Sequence, residues 1–246
     1  MSFILMHVLR LSFASVLASI VAGSGVGWYL QAEALYAQTQ PSEEPPAGTF
    51  FGYSPPDRGA PRRTRGAGSR GCQATRPLGL TLLVPSDHTG RTISSHPTFA
   101  WHLAGATDVP VEFTLVQPGV AQPLYAVTLP QQPEGYGQIA LPAEVPALEI
   151  GQEYRWSVEA ICNPKRPSSN IFAQGWIERI ELSPELAQTL ERTSNRRDEA
   201  LVYAEAGVWF EALSTLSKVV ELDASAQADR LALMKDGGIE LLVDAP

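Results

Sequence analysis

The stretch Pro97-Thr98-Phe99-Ala100-Trp101, read together with Tyr154-Arg155-Trp156-Ser157-Val158-Glu159-Ala160, decides the fold class of this chain. Each phrase alternates a large apolar residue with a small or polar one, and each sets a Trp on the apolar side. That is the period-two pattern of a strand with one face in a core. Strand-like runs of the same kind cover 78–84, 98–103, 111–117, 124–129, 138–141, 153–162 and 171–182, with Pro, Gly, Asp and Asn between them. Seven short strands at that spacing suit an antiparallel sandwich of about a hundred residues.

The second phrase follows Leu148-Glu149-Ile150-Gly151-Gln152-Glu153, so an apolar turn and a Gly lead into the Tyr that opens a long strand. This resembles the tyrosine corner of immunoglobulin-like and fibronectin type III domains, which implies a β-sandwich over 77–182 and leaves activity open. In such a domain Trp101 and Trp156 belong to the core, while Trp176 is either core or a stacking surface for sugars.

Residues 1–34 carry a different message. After His7 and Arg10, an uncharged, apolar run from Leu11 to Leu30 leads to Gln31-Ala32-Glu33-Ala34. A weakly basic start, an apolar middle and an Ala-x-Ala site read as a secretory signal peptide, the alternative being an uncleaved membrane anchor. The expected location is the periplasm or cell envelope. In that oxidising setting Cys72 and Cys162, flanking the sandwich strands, are expected to bridge, which stabilises by roughly 4–5 kcal/mol on the chain-entropy view. Two free thiols are the competing reading.

Between leader and sandwich, 35–76 is rich in Pro, Gly and Arg and lacks apolar periodicity, so it reads as a disordered arm. Its guanidinium groups, Arg58, Arg62, Arg63, Arg65 and Arg70, suit carboxylates or phosphates of acidic polysaccharide or wall polymer. The plainer reading is a solvated spacer. The net charge of −8 and the export signal exclude a uniformly basic nucleic-acid binder. With 44% hydrophobic and 18% charged residues, the remainder can bury a core.

From 183 to 246 the period becomes helical. Ser183-Pro184-Glu185 sets a capping Ser before a Pro at the first helical position; further helices are expected near 196–206, 208–222 and 225–235, with breaks at Gly207 and Gly237-Gly238. The piece Gly207-Val208-Trp209-Phe210-Glu211-Ala212-Leu213, with Tyr203-Ala204 before it, resembles half of a tetratricopeptide repeat. One unit cannot bury its own apolar sides. Trp209, Phe210 and Leu213 are therefore expected to meet either the outer face of the sandwich or a partner protein.

An ordered series of motifs carries a closer resemblance. It comprises the Arg arm ending in Cys72, Leu83-Val84-Pro85, Pro97 to Trp101, Leu148 to Trp156, Cys162-Asn163-Pro164, Gly175-Trp176-Ile177-Glu178-Arg179 and Tyr203 to Trp209. It is similar to the family catalogued as domain of unknown function 928, found mainly in cyanobacteria. The resemblance implies an exported envelope protein and brings no known activity, ligand or catalytic residue.

Catalytic and metal chemistry find little footing. No nucleophile-elbow, zinc-protease, phosphate-loop or calcium-loop motif occurs; Gly23-Ser24-Gly25-Val26-Gly27 lies inside the leader, with no βαβ unit around it. His88, His96 and His102 have no metal-ligand spacing, and Glu178 and Glu181 stand at odd separation on one strand, so they face opposite ways. No catalytic, metal or cofactor residue is assigned. The leading expectation is a non-catalytic envelope protein that binds another protein, the alternative a carbohydrate- or wall-binding module, and the third an envelope hydrolase.

Overall fold

The computed structural model describes residues 52–56, 64–67, 78–105, 109–220 and 223–241, so the leader, Cys72 and Arg58, Arg62, Arg63 and Arg70 lie outside the described residues. Among those described, the strands are β1 (Arg65–Ala67), β2 (Gly79–Leu82), β3 (Gly90–Thr92), β4 (Thr98–Ala104), β5 (Val111–Val116), β6 (Tyr125–Leu129), β7 (Gly135–Ala140), β8 (Glu153–Ala160) and β9 (Ile171–Arg179). The helices are α1 (Pro184–Glu191), α2 (Arg196–Glu205), α3 (Trp209–Val219) and α4 (Ala224–Asp236).

Two sheets result. One runs β1-β9-β8-β5-β6, with β3 parallel to β9 beyond the end of β1; the other runs β2-β4-β7 and is antiparallel throughout. Alternation delivers what the sequence leads one to expect: Phe99, Trp101 and Leu103 of β4 and Tyr154, Trp156 and Val158 of β8 are buried. Phe99 bridges the sheets, its ring centre 5.0 Å from that of Phe113 and 5.1 Å from that of Trp156. This is a sandwich core, and each such aromatic removes on the order of 150–250 Å² from water. The Trp101 indole fills the space where a side chain at Gly137 would stand, so β7 must carry Gly at that register. The tyrosine corner is present: the buried Tyr154 hydroxyl accepts the Glu149 N–H at 3.0 Å.

The helices start where capping chemistry places them. Ser183, Asn195 and Asp223 each accept an N–H of the first turn, at 3.2, 2.8 and 2.8 Å, which satisfies donors that the helix itself leaves unpaired. Gly207 ends α2 at φ +72°, and a Cβ there would lie 2.6 Å from the Ser54 carbonyl oxygen.

Two expectations need correction. Helices and strands do not form separate bodies: they fall within one compact unit, Glu44–Pro246, and Phe210 enters the sandwich interior with its ring 5.7 Å from Phe99 and 6.5 Å from Trp156. On the outer side of β7, Arg230 of α4 lies 4.1 Å above the Tyr136 ring. Of the arm expected over 35–76, residues 52–56 and 64–67 are described and pack on the fold, and the rest lies outside the described residues. Tyr53 is buried and the Ser54 N–H donates to Ala204 O at 3.2 Å, while Thr64 donates to Pro85 O at 2.7 Å just before β1 pairs with β9. A strap of this kind gains its order from contacts far away in sequence, which composition does not register.

Candidate functional site

The residues first expected to meet a partner come to lie inside the protein. Trp209 is 0% exposed, its indole N–H donates to the Leu83 carbonyl at 2.9 Å, and its ring meets Tyr53 edge-on at 4.9 Å. Phe210 and Leu213 are each 3% exposed. A partner therefore has no access to these rings, and the apolar sides of α3 are satisfied by the chain's own sandwich.

Among the described α-helices α1 is the one with no buried residue. Leu186 and Leu190 share one side of it and are half-buried, and Leu182, just before the capping Ser183, is 42% exposed. Ile150, bridged to Arg179 three residues before Leu182, is 56% exposed. Leu231 of α4, 49% exposed, is a further apolar residue on the surface of the helices.

The outer face of the larger sheet is the second candidate. Ala173, Gly175 and Ile177 of β9 point inward, so Trp176 points outward, half-buried, directly across from the exposed Arg155. Gln174 and Ser157 face each other one step along, and Glu153 faces Glu178 one step the other way. Each carboxylate has its own partner: Thr89 donates to Glu153 at 2.8 Å, and the Arg91 guanidinium lies 3.7 Å from Glu178. Of the arm arginines expected to bind anions, the backbone of Arg65 is described, pairing with that of Gln174 in the β1–β9 ladder. The sequence left Trp176 open between core and surface, and the structure places it half-buried on the outer face; the facing of Glu153 and Glu178 likewise needed the β8–β9 register.

The remaining polar groups hold the fold. His88 stacks on Tyr53, shares a 2.9 Å hydrogen bond with its hydroxyl and pairs with Asp87 at 2.7 Å; burial pushes the Tyr53 phenol well above its ordinary range. His96 reaches the Val145 carbonyl at 2.9 Å, and His102 stands edge-on to Tyr136, with partial burial holding its pKa below the usual 6.5. Glu211 accepts from Thr92 at 2.6 Å and from the Ser94 N–H at 3.1 Å, and burial raises its carboxyl above the ordinary 4.5 despite those donors. Arg197 pairs at 2.6 Å with the fully buried Asp229, beside a cleft of about 310 Å³ lined by Asn195, Arg196, Arg197, Asp198, Val219 and Asp223. The Cys162 N–H donates to Asn170 at 3.0 Å just past β8. Among the described residues no three His, Cys, Asp or Glu converge on a metal position, and no helix is long and apolar enough to cross a membrane.

Comparison with known proteins gives one broad match. The sequence profile of Domain of Unknown Function (DUF928) covers residues 65–246. No curated protein matches. Two solved structures share local similarity: an engineered protein (13% identity, TM-score 0.31, 43% of this chain and 21% of that one), and a DUF3244 family protein with an immunoglobulin-like β-sandwich from Bacteroides vulgatus (12% identity, TM-score 0.26, 47% and 94%).

Proposed function

The chain belongs to the DUF928 family, and from that premise we propose that it is an exported, non-catalytic envelope protein that works by binding another protein along α1. The observation that carries this reading is α1 itself, a helix none of whose residues is buried: Leu186 and Leu190 on one side are only half-covered, and the exposed Leu182 stands just before the capping Ser183. Eight residues are too few for a helix to persist in water on propensity alone. Leucines at i and i+4 on one side of a helix, here Leu186 and Leu190, are a spacing by which a helix seats in a partner's groove.

Export rests on the apolar leader and its Ala32/Ala34 site. A bridge between Cys72 and Cys162 goes with export, and the lack of a free cysteine among the described residues supports it. The test is chemical crosslinking in intact cells with wild type and with Leu186→Asp/Leu190→Asp. The wild type should yield a defined heterologous adduct that the variant loses while melting unchanged. An identical adduct from both would refute the role of α1.

A second reading has its own observation. Trp176 faces outward opposite Arg155, with Gln174 and the Glu153/Glu178 pair around it, and an aromatic ring flanked by planar polar groups suits a sugar or acidic polysaccharide. Glycan-array binding that persists in the Leu186→Asp/Leu190→Asp variant and disappears in Trp176→Ala would move the function to this face.

A further inference from the structure

On one side of the sandwich both sheets end in strands that carry no charge. β6 closes the larger sheet, pairing only with β5 among the described residues, and β7 closes the smaller. The two ends lie together: Leu82 and Val84 sit over Gly175, which puts β2 over β9, and Phe99 meets Phe113, which puts β4 over β5. β7 therefore falls on the β6 side. From Glu112 to Glu144 the only charge between them is Glu134, in a chain whose net charge is −8.

Strand edges of monomeric proteins are ordinarily guarded by lysines, inward charges or bulges, because unpaired N–H and C=O groups are a template for another strand. β6, Tyr125-Ala126-Val127-Thr128-Leu129, contains none of these charges, and Pro123 and Pro130 bound it outside the paired residues. Val120, in the hairpin leading to it, is 51% exposed.

We propose that β6 pairs antiparallel with β6 of a second copy of this chain, about a two-fold axis through Val127. The sequence is self-complementary in that register. Tyr125 would stand opposite Leu129 of the partner subunit on the half-buried inner side, extending the core from one sandwich into the next. The outward, exposed positions would set Ala126 opposite Thr128 of the partner subunit, a pair small enough to pack without a clash. Two chains of like net charge associate most readily where neither presents charge, and this side is such a place. A two-fold axis makes one patch sufficient for both copies.

Sedimentation of the full mature chain tests the pairing, with hydrogen exchange reporting on the β6 amides. The wild type should sediment as a dimer at micromolar concentration, with the amides of 125–129 protected. Ala126→Lys/Thr128→Lys sets like charges opposite each other twice and should weaken dimerisation by about tenfold. Ala126→Lys/Thr128→Glu makes the same two positions attractive and should restore it. Both sites are exposed, so unchanged circular dichroism is expected for each variant. A monomeric wild type, a dimer indifferent to the double Lys variant, no rescue by the Lys/Glu variant, or protection of β6 only on adding an extended peptide would each overturn the proposal. Neither variant touches α1, so failure here leaves the α1 reading standing.

Discussion

Replacing Trp209 with Ala should unfold strands and helices together. The side chain is fully buried, so truncation removes the largest apolar group at the junction of α3 and the strap and leaves a cavity beside Tyr53 and Gly237. Phe or Trp to Ala in such a site costs about 3–5 kcal/mol. The Leu83 carbonyl also loses the indole N–H it accepts at 2.9 Å, and a buried acceptor left unpaired adds about 1–3 kcal/mol unless water fills the gap. A total of about 4–8 kcal/mol is a large part of the roughly 5–15 kcal/mol that holds a domain together. At about 2–4 °C per kcal/mol for a chain of this size, the melting temperature should fall by roughly 8–32 °C. Trp209→Phe, which keeps most of the burial, should lose about 1–3 kcal/mol and so isolate the hydrogen bond. The assay is urea unfolding followed by helical circular dichroism and by fluorescence of the remaining tryptophans. The two signals should shift together in Trp209→Ala. If the helical signal were lost early while the fluorescence transition kept its wild-type midpoint, a shared core would be the wrong description.

Three further outcomes follow from the buried polar contacts. The folded Glu211 carboxyl has a raised pKa, so the folded state holds its proton longer than the unfolded one, and stability falls as pH rises from 4.5 through the raised value. Glu211→Gln should lack that decline, so its melting temperature should gain on wild type between acid and neutral pH; parallel profiles would contradict the assignment. Arg197→Ala leaves the fully buried Asp229 carboxylate without its 2.6 Å partner and should cost about 3–5 kcal/mol by urea unfolding, a neutral result counting against a charged Asp229. Tyr53→Ala removes the stack on His88 and the edge contact to Trp209, and should speed limited proteolysis within residues 52–56 well before it alters the sheets; an unchanged cleavage rate would show that this segment is held otherwise.

What could be read beforehand follows the range of the interactions. Alternation at Phe99, Trp101, Trp156 and Val158 is local, as are the Ser183 cap, the Gly207 break and the Tyr154 corner, and each stands where the residues put it. β3 is three residues, Gly90–Thr92, too short for a period, and its parallel pairing with β9 joins segments nearly ninety positions apart. Tyr53 sits in Pro-rich surroundings, and the Asp236 carboxylate that accepts its N–H at 3.1 Å is 183 residues away. The sequence marked Trp209 and Phe210 as contact residues for the sandwich's outer face or a partner, and both are buried in the chain's own interior, because spacing alone does not say which way an apolar residue turns. The start of α1 was legible in Ser183-Pro184-Glu185, and only the structure showed that this helix buries none of its residues.

The central claim, that α1 is where another protein binds, is tested most directly by a photo-crosslinking amino acid placed in the full-length chain in living cells. It would stand in turn at Leu182, Leu186 and Leu190, and at Glu185 and Gln188 on the exposed remainder of the helix. The account predicts one and the same heterologous adduct from the three leucine positions and none from the other two. Equal labelling at all five positions, or an adduct from Glu185 and Gln188 alone, would contradict it.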